Sequence, residues 1–289
     1  MEKIAVLGAG LMGASIAQVA AQAGYSVIVR DIQMSIVRDG IRTIEEELDR
    51  QINNDLLASS EKAIIMERIH GTIDLAELTQ ADLVIEAVVE NMAVKKQLFT
   101  ELDAICPKRT ILATNTSSLS ITEIASSTQR RDKVLGMHFV NPVPRLKLVE
   151  LVKGIDTSNE TIETAQDCVK QMGKKFVVVN RDSPGFIMNR ILVSYINEAI
   201  TMVGEGVASA EDIDAALKIG AGMHQGPLEL ADEMGLDILY AALLVFYNEF
   251  RDPKYRPHTY FTNLVRAGYY GRKSGKGFYD YSGAMKPEK

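Results

Sequence analysis

The sequence predicts a doubly wound α/β domain followed by an all-α domain. Up to about residue 180, short apolar runs alternate with amphipathic stretches, the pattern of parallel strands joined by crossover helices. Beyond Pro184-Gly185 every long segment has helical period. A length of 289 residues suits two domains with sizeable cores.

The elements follow in order. Residues 4–7 form a short apolar run of the buried-strand kind. Gly8-Ala-Gly10-Leu11-Met12-Gly13 comes next, then a helix of small apolar residues over 14–23, closed by Gly24. Residues 26–30 make the second strand, and Asp31 stands at its end. Residues 35–69 are helical in period, with Arg38, Arg42, Glu45, Glu46, Asp49 and Arg50 on one side, and read as an inserted helical hairpin. A strand over 82–88 ends near Glu90, and Asn91 is placed to cap a helix over 92–105. The strand at 110–114 runs into a hydroxyl-rich loop, 115–120; strands at 133–139 and 146–152, a helix over 158–172 and a strand at 176–180 complete this half. The boundary at 181–184 divides the chain into residues 1–183 and 184–289. The second part has helices at 186–204, 209–218, 227–234, 237–248 and 259–267, the second opening on a capping-box-like Ser209-Ala-Glu-Asp212. A tail rich in glycine and aromatics spans 268–281.

Composition narrows the function. A net charge of −6 disfavours nucleic acid, which asks for a basic face. Cys106 and Cys168 lack a Cys/His ligand pattern and read as reduced thiols, so no metal is expected. The run at 238–247 is too short to span a bilayer, and no charged leader precedes the first strand. The expectation is a cytoplasmic protein with no membrane partner.

Strand, GxGxxG, helix, strand and acid form the complete dinucleotide fingerprint of a Rossmann-like domain. Gly8 makes the turn, Gly10 admits a pyrophosphate and Gly13 allows close packing, with Leu11 and Met12 in the same turn. Asp31 is suited to accept from ribose hydroxyls and to repel a 2′-phosphate, which favours NAD; the neighbouring Arg30 leaves NADP open. The segment from His138 to Glu150 holds an imidazole and a carboxylate at its ends, with Asn141-Pro142-Val143-Pro144 between them. Proline excludes helix and central strand there, so a turn can bring Glu150 to His138. A carboxylate on one ring nitrogen fixes the tautomer and assigns proton exchange to the other. Glu90, Ser117 and His138 all follow predicted strands, so they gather at the edge where such sheets bind ligands.

With these residues in view, the chain resembles the L-3-hydroxyacyl-CoA dehydrogenase family, above all its bacterial 3-hydroxybutyryl-CoA branch. The resemblance runs end to end through GAGLMGASIAQ, NTSSLSIT, HFVNPVPRLKLVELV, SPGFIMNRIL and GRKSGKGFYDY. It implies hydride transfer between NAD and C3 of an acyl-CoA, acetoacetyl-CoA and 3-hydroxybutyryl-CoA being the expected pair, with His138 as general acid/base and Glu150 orienting it. It further implies that Ser117 contacts substrate oxygen, that Asn189 reaches the site from the second domain, and that Glu90, Lys95, Asn141 and Lys273 contact the cofactor. A homodimer through the helical domain is implied as well. Two departures stand out: Asn54 replaces a lysine suited to CoA phosphates, with Arg50 one turn earlier as a substitute, and Arg145 replaces an apolar residue. Free 3-hydroxy acids, or cofactor binding without catalysis, remain alternatives at this stage.

Overall fold

A computed structural model describes residues 1–283. The chain forms two compact units, Met1–Ser183 and Pro184–Lys289. Residues 284–289, which the sequence reading assigns to the second domain, lie outside the described residues.

The first unit is built on a single eight-stranded sheet. Its elements in chain order are β1 (Lys3–Leu7), α1 (Leu11–Gln22), β2 (Ser26–Arg30), α2 (Met34–Asn53), α3 (Ser59–Glu67), β3 (Ile69–Thr72), β4 (Leu83–Glu86), α4 (Met92–Ile105), β5 (Ile111–Thr114), α5 (Ile121–Ala125), β6 (Val134–Phe139), β7 (Leu148–Lys153), α6 (Asn159–Gln171) and β8 (Lys175–Val179). The strand order is β3-β2-β1-β4-β5-β6-β7-β8. The chain therefore reverses direction across the sheet at β1, the switch point where open α/β sheets leave a crevice. Every neighbouring pair is parallel except β6 and β7. Ile4 to Leu7 and Leu83 to Ile85 are fully buried, which is why these strands read as unbroken apolar runs.

The span 35–69 resolves into α2 and α3, with Asp55 at a φ of 56° between them. Val37, Ile44 and Leu48 form the buried stripe of α2. The sequence reading has no strand at β3. Ile69-His-Gly-Thr offers neither an apolar run nor clean alternation, and only Thr72 of the four is buried. It becomes a strand because the edge of β2 presents unpaired backbone groups, and Val27 to Arg30 pair with it in register. The thiols of Cys106 and Cys168 are both free and buried, and burial pushes each up to about 11.

The second unit contains α7 (Met188–Gly204), α8 (Ala210–Gly220), α9 (Pro227–Met234), α10 (Leu236–Phe250) and α11 (Thr259–Arg266). Its core gathers Ile196, Ile200, Leu228, Leu239, Leu243, Phe246 and Phe261. Helix α7 starts at Met188 rather than 186, because Gly185 and Phe186 both take positive φ, 75° and 49°. The tail folds back through isolated bridges of Gly271 with Lys276 and Lys276 with Asp280. The buried Asp232 carboxylate accepts the backbone N–H groups of Phe278 and Tyr279, each at 2.9 Å. Gly277 is required there, since a Cβ would lie 2.0 Å from Asp232 Oδ1. No helix of the described residues is long and apolar enough to cross a membrane.

Asp232→Ala strands two inward-facing N–H groups and is expected to lower unfolding free energy by about 2–4 kcal/mol. Urea denaturation measures this; a loss below about 0.5 kcal/mol would show that the tail is held by other contacts.

Candidate active site

The glycine turn joins β1 to α1. Gly8 has a φ of 94°, and a Cβ on it would sit 2.4 Å from the Ala87 carbonyl oxygen. A Cβ on Gly13 would lie 1.7 Å from the Gly8 carbonyl oxygen, so glycine is enforced by helix–strand contact. Gly10 is different: a Cβ there meets no protein atom within 4 Å. Its smallness serves open space, and Gly10 lines a cavity of about 510 Å³ with Gly8, Arg30, Asp31, Ile32 and Val88. Gly10 is also the N-cap of α1 and supplies no side chain, so the helix presents N–H groups for an anion. Asp31 Oδ2 accepts from Ala9 N at 2.7 Å and Oδ1 from Ile32 N at 2.7 Å. A carboxylate has about four acceptor sites, which leaves capacity for ribose hydroxyls. Arg30 donates from Nε to the Ile73 carbonyl at 3.3 Å, toward the loop after β3. These residues fit a dinucleotide.

Beside this turn lies a charged network that sequence reasoning caught only in part. Glu86, the last residue of β4, is fully buried and was missed. Its carboxylate accepts from Lys95 Nζ at 2.6 Å, Thr114 Oγ1 at 2.7 Å and Val88 N at 2.7 Å. A carboxylate closing the buried run Leu83-Val-Ile-Glu86 was the available signal. Lys95 is 1% exposed and also stands 3.3 Å from Glu90. Glu90 in turn accepts from Thr116 Oγ1 and from Ser118 Oγ. Lys95 is thus enclosed, and its charge bears on the site edge through Glu90.

His138 and Glu150 are paired residues of the antiparallel β6–β7 ladder. His138 Nδ1 and Glu150 Oε2 are 2.8 Å apart, with exposures of 6% and 0%. Asn115, another residue missed, accepts the Phe139 N–H on Oδ1 at 2.8 Å and ties the end of β5 to β6 beside the histidine. Ser117 follows in the same loop, half-buried. Among the described residues its hydroxyl has no hydrogen-bond partner. Ser120 caps α5 and donates to Asp182 at 2.6 Å, which anchors the loop's far end.

Other predicted positions fall elsewhere. Asn141 and Leu11 line a second cleft of about 300 Å³, with Gln18, Arg50 and Arg145, between α1, α2 and the proline turn. Met12 is half-buried and packs on the core. Arg50 is held by Glu47 at 2.6 Å, and Asn54 is exposed as the C-cap of α2. Arg145 is exposed and has no carboxylate within ion-pair distance among the described residues. In the second unit, Asn189 is the second residue of α7, and Lys273 pairs with Asp237 at 2.7 Å.

A dinucleotide turn and a buried histidine–carboxylate pair on the same doubly wound sheet define the class of nicotinamide-dependent dehydrogenases. The sequence places the chain within that class. Residues 3–183 match the 3-hydroxyacyl-CoA dehydrogenase NAD binding domain and residues 185–281 match the C-terminal domain of the same enzymes, so the chain belongs to the 3-hydroxyacyl-CoA dehydrogenase family and its cofactor is NAD. It is 46% identical over 97% of its length to a probable 3-hydroxybutyryl-CoA dehydrogenase of Bacillus subtilis, 98% of which is covered. It is 45% identical to the 3-hydroxybutyryl-CoA dehydrogenase of Clostridioides difficile, with 97% and 99% of the two chains covered. Its fold superposes on the crystal structure of (S)-3-hydroxybutyryl-CoA dehydrogenase PaaH1 from Ralstonia eutropha with a TM-score of 0.94, at 44% identity, covering 97% and 99% of the chains.

The two glycines separate packing from binding. Gly13→Ala should cost about 2 kcal/mol or more of stability, whereas Gly10→Ala should leave stability within about 0.5 kcal/mol and weaken NADH binding at least about tenfold. Thermal melting with and without NADH reads both; equal behaviour of the two variants would contradict the assignment. Lys95→Met leaves Glu86 buried without its cation and should cost about 3–5 kcal/mol, readable by denaturant unfolding.

Proposed function

We propose that the protein is a 3-hydroxybutyryl-CoA dehydrogenase that interconverts (S)-3-hydroxybutyryl-CoA and acetoacetyl-CoA, with His138 and Glu150 as its acid–base dyad. The observation that carries this is the buried 2.8 Å pair of His138 Nδ1 and Glu150, on the sheet that bears the dinucleotide turn. Bound NAD supplies the hydride acceptor for C3. His138 takes the C3 hydroxyl proton on Nε2 during oxidation and returns it during reduction. Glu150 holds the ring through Nδ1 and stabilises the imidazolium that forms, the logic of an orienting carboxylate without a nucleophile. Ser117 donates to the substrate oxygen. Gly8, Gly10, Leu11, Met12 and Gly13 would cradle the pyrophosphate, Asp31 would accept from the ribose, Glu90 and Asn141 would add cofactor contacts, and the enclosed Lys95 would act only through Glu90. Residues 1–183 act as the NAD-binding domain and 184–289 as the dimerisation domain of a cytoplasmic homodimer in butyrate and fatty acid metabolism. The exposed apolar side chains Ile219, Ile238 and Leu244 of the helical unit support the dimer.

A second reading, a substrate bearing a free carboxylate, draws on the exposed Arg145 and on the absence of a lysine at Asn54. Comparing acetoacetyl-CoA with free acetoacetate separates the two.

NADH should be consumed rapidly on addition of acetoacetyl-CoA, and NADPH at least about tenfold more slowly. His138→Gln should lower kcat by about 10²–10⁴ while NADH still binds. Consumption with acetoacetate alone would transfer the activity to the second reading, and full turnover by the glutamine variant would remove His138 from the mechanism.

A further inference from the structure

The loop between β6 and β7 covers residues 140–147, between Phe139 and Leu148. Short hairpin turns set register by their own geometry, whereas a connection this long does not. Register nevertheless matters here, because a slip of one residue would move the Glu150 side chain to the opposite face of the sheet. Pro142 and Pro144 remove two N–H donors, so the loop cannot close a regular ladder. It is stitched locally by Arg145 N and Leu146 N, both donating to the Pro142 carbonyl at 3.1 and 2.9 Å. The carbonyls of Val143 and Leu146 need donors from elsewhere, and Val143 is buried.

Lys174 supplies them. It precedes β8, is 8% exposed, and donates from Nζ to the Leu146 carbonyl at 2.9 Å and to the Val143 carbonyl. The next residue, Lys175, donates its N–H to the Lys147 carbonyl at 2.7 Å and pairs with Leu148 as the β7–β8 ladder begins. Among the described residues no carboxylate lies within ion-pair distance of the Lys174 ammonium. Burial and the neighbouring charge of Lys147 push its pKa down. Burying a cation without a counter-ion costs free energy that an apolar side chain would avoid. What the ammonium offers in return is a pair of strong donors aimed at one turn.

We propose that Lys174 is a positioning residue whose buried ammonium clamps the turn between β6 and β7 and so holds Glu150 opposite His138. The proposal rests on the reading of that pair as the acid–base dyad. Lys174 acts through Glu150 and touches neither substrate nor cofactor.

The test is a mutant cycle in the full-length protein, read as kcat for acetoacetyl-CoA reduction by NADH. Lys174→Met removes the donors at similar volume and should lower kcat about tenfold to a hundredfold, the scale of a displacement of about 1 Å in a catalytic group. The Kd for NADH should rise by less than kcat falls, because the loop held by Lys174 carries one proposed cofactor contact, Asn141, whereas Gly8 to Gly13 and Asp31 lie outside it. In a Glu150→Gln background the same change should cost less than about threefold, since nothing remains to be positioned. Lys174→Arg keeps a cation with donors and should recover most of the lost kcat. A folded Lys174→Met with kcat within about twofold of the parent overturns the clamp, as does a loss that multiplies fully with Glu150→Gln. If the methionine variant is not recovered folded, Lys174→Gln replaces it, with an expected fall of about threefold to tenfold, and the same cycle decides. Full turnover by both His138→Gln and Glu150→Gln would instead bring down the dyad reading and the clamp with it. Loss of turnover in those two, with the Lys174 variants unaffected, would remove the clamp alone.

Discussion

The antiparallel pairing of β7 on β6 is the constraint on which the site depends. In an otherwise parallel sheet, this one reversal sets His138 and Glu150 directly across from each other. Cross-strand partners share a face and stand close enough for their side chains to meet, so the 2.8 Å contact follows from the ladder. Both groups lie in the buried interior of a strand pair, where water does not compete for the hydrogen bond. The imidazole is therefore oriented before any substrate arrives. Asn115 extends the same logic, since its hydrogen bond to the Phe139 N–H ties the neighbouring strand end to the histidine.

The cofactor side of the sheet uses charge in the same economical way. Asp31 is bonded to the glycine turn through Ala9, so the acid that follows β2 also fixes that loop. Glu86, Lys95 and Glu90 carry charge from the buried end of β4 to the loop after β5, where Thr116 and Ser118 meet it. Buried charge of this kind is tolerated because each group has several partners. Such a network gives the rim one arrangement in place of many.

Membership of the 3-hydroxyacyl-CoA dehydrogenase family accounts for both units, since one family model covers each. Arg50, Asn54 and Arg145 line one cleft. Arg145 lines the same cleft as Arg50, with Asn54 at the end of the helix that carries Arg50. Residues 54 and 145 thus belong to one surface, between the helical arm and the proline turn.

Much of this protein was legible in its residues. The glycine turn, the acid after β2, the change to helical period at Pro184 and the helices over 92–105 and 227–234 follow from local chemistry, because turns, caps and periodicity are short-range. His138 and Glu150 could be named as partners because prolines force a turn between them. What sequence could not supply depends on neighbours far away in the chain. Strand β3 exists because β2 has an open edge, not because its four residues ask for it. Within the run 82–88 nothing local marks Glu86 as paired, and its place in the site depends on Lys95 and Thr114 closing over it. Lys174 has no local signature, and only the carbonyls of a loop some thirty residues earlier give its ammonium a role. Local pattern decided which elements form; the pairing of distant backbone and the satisfaction of buried polar groups decided which side chains share a site.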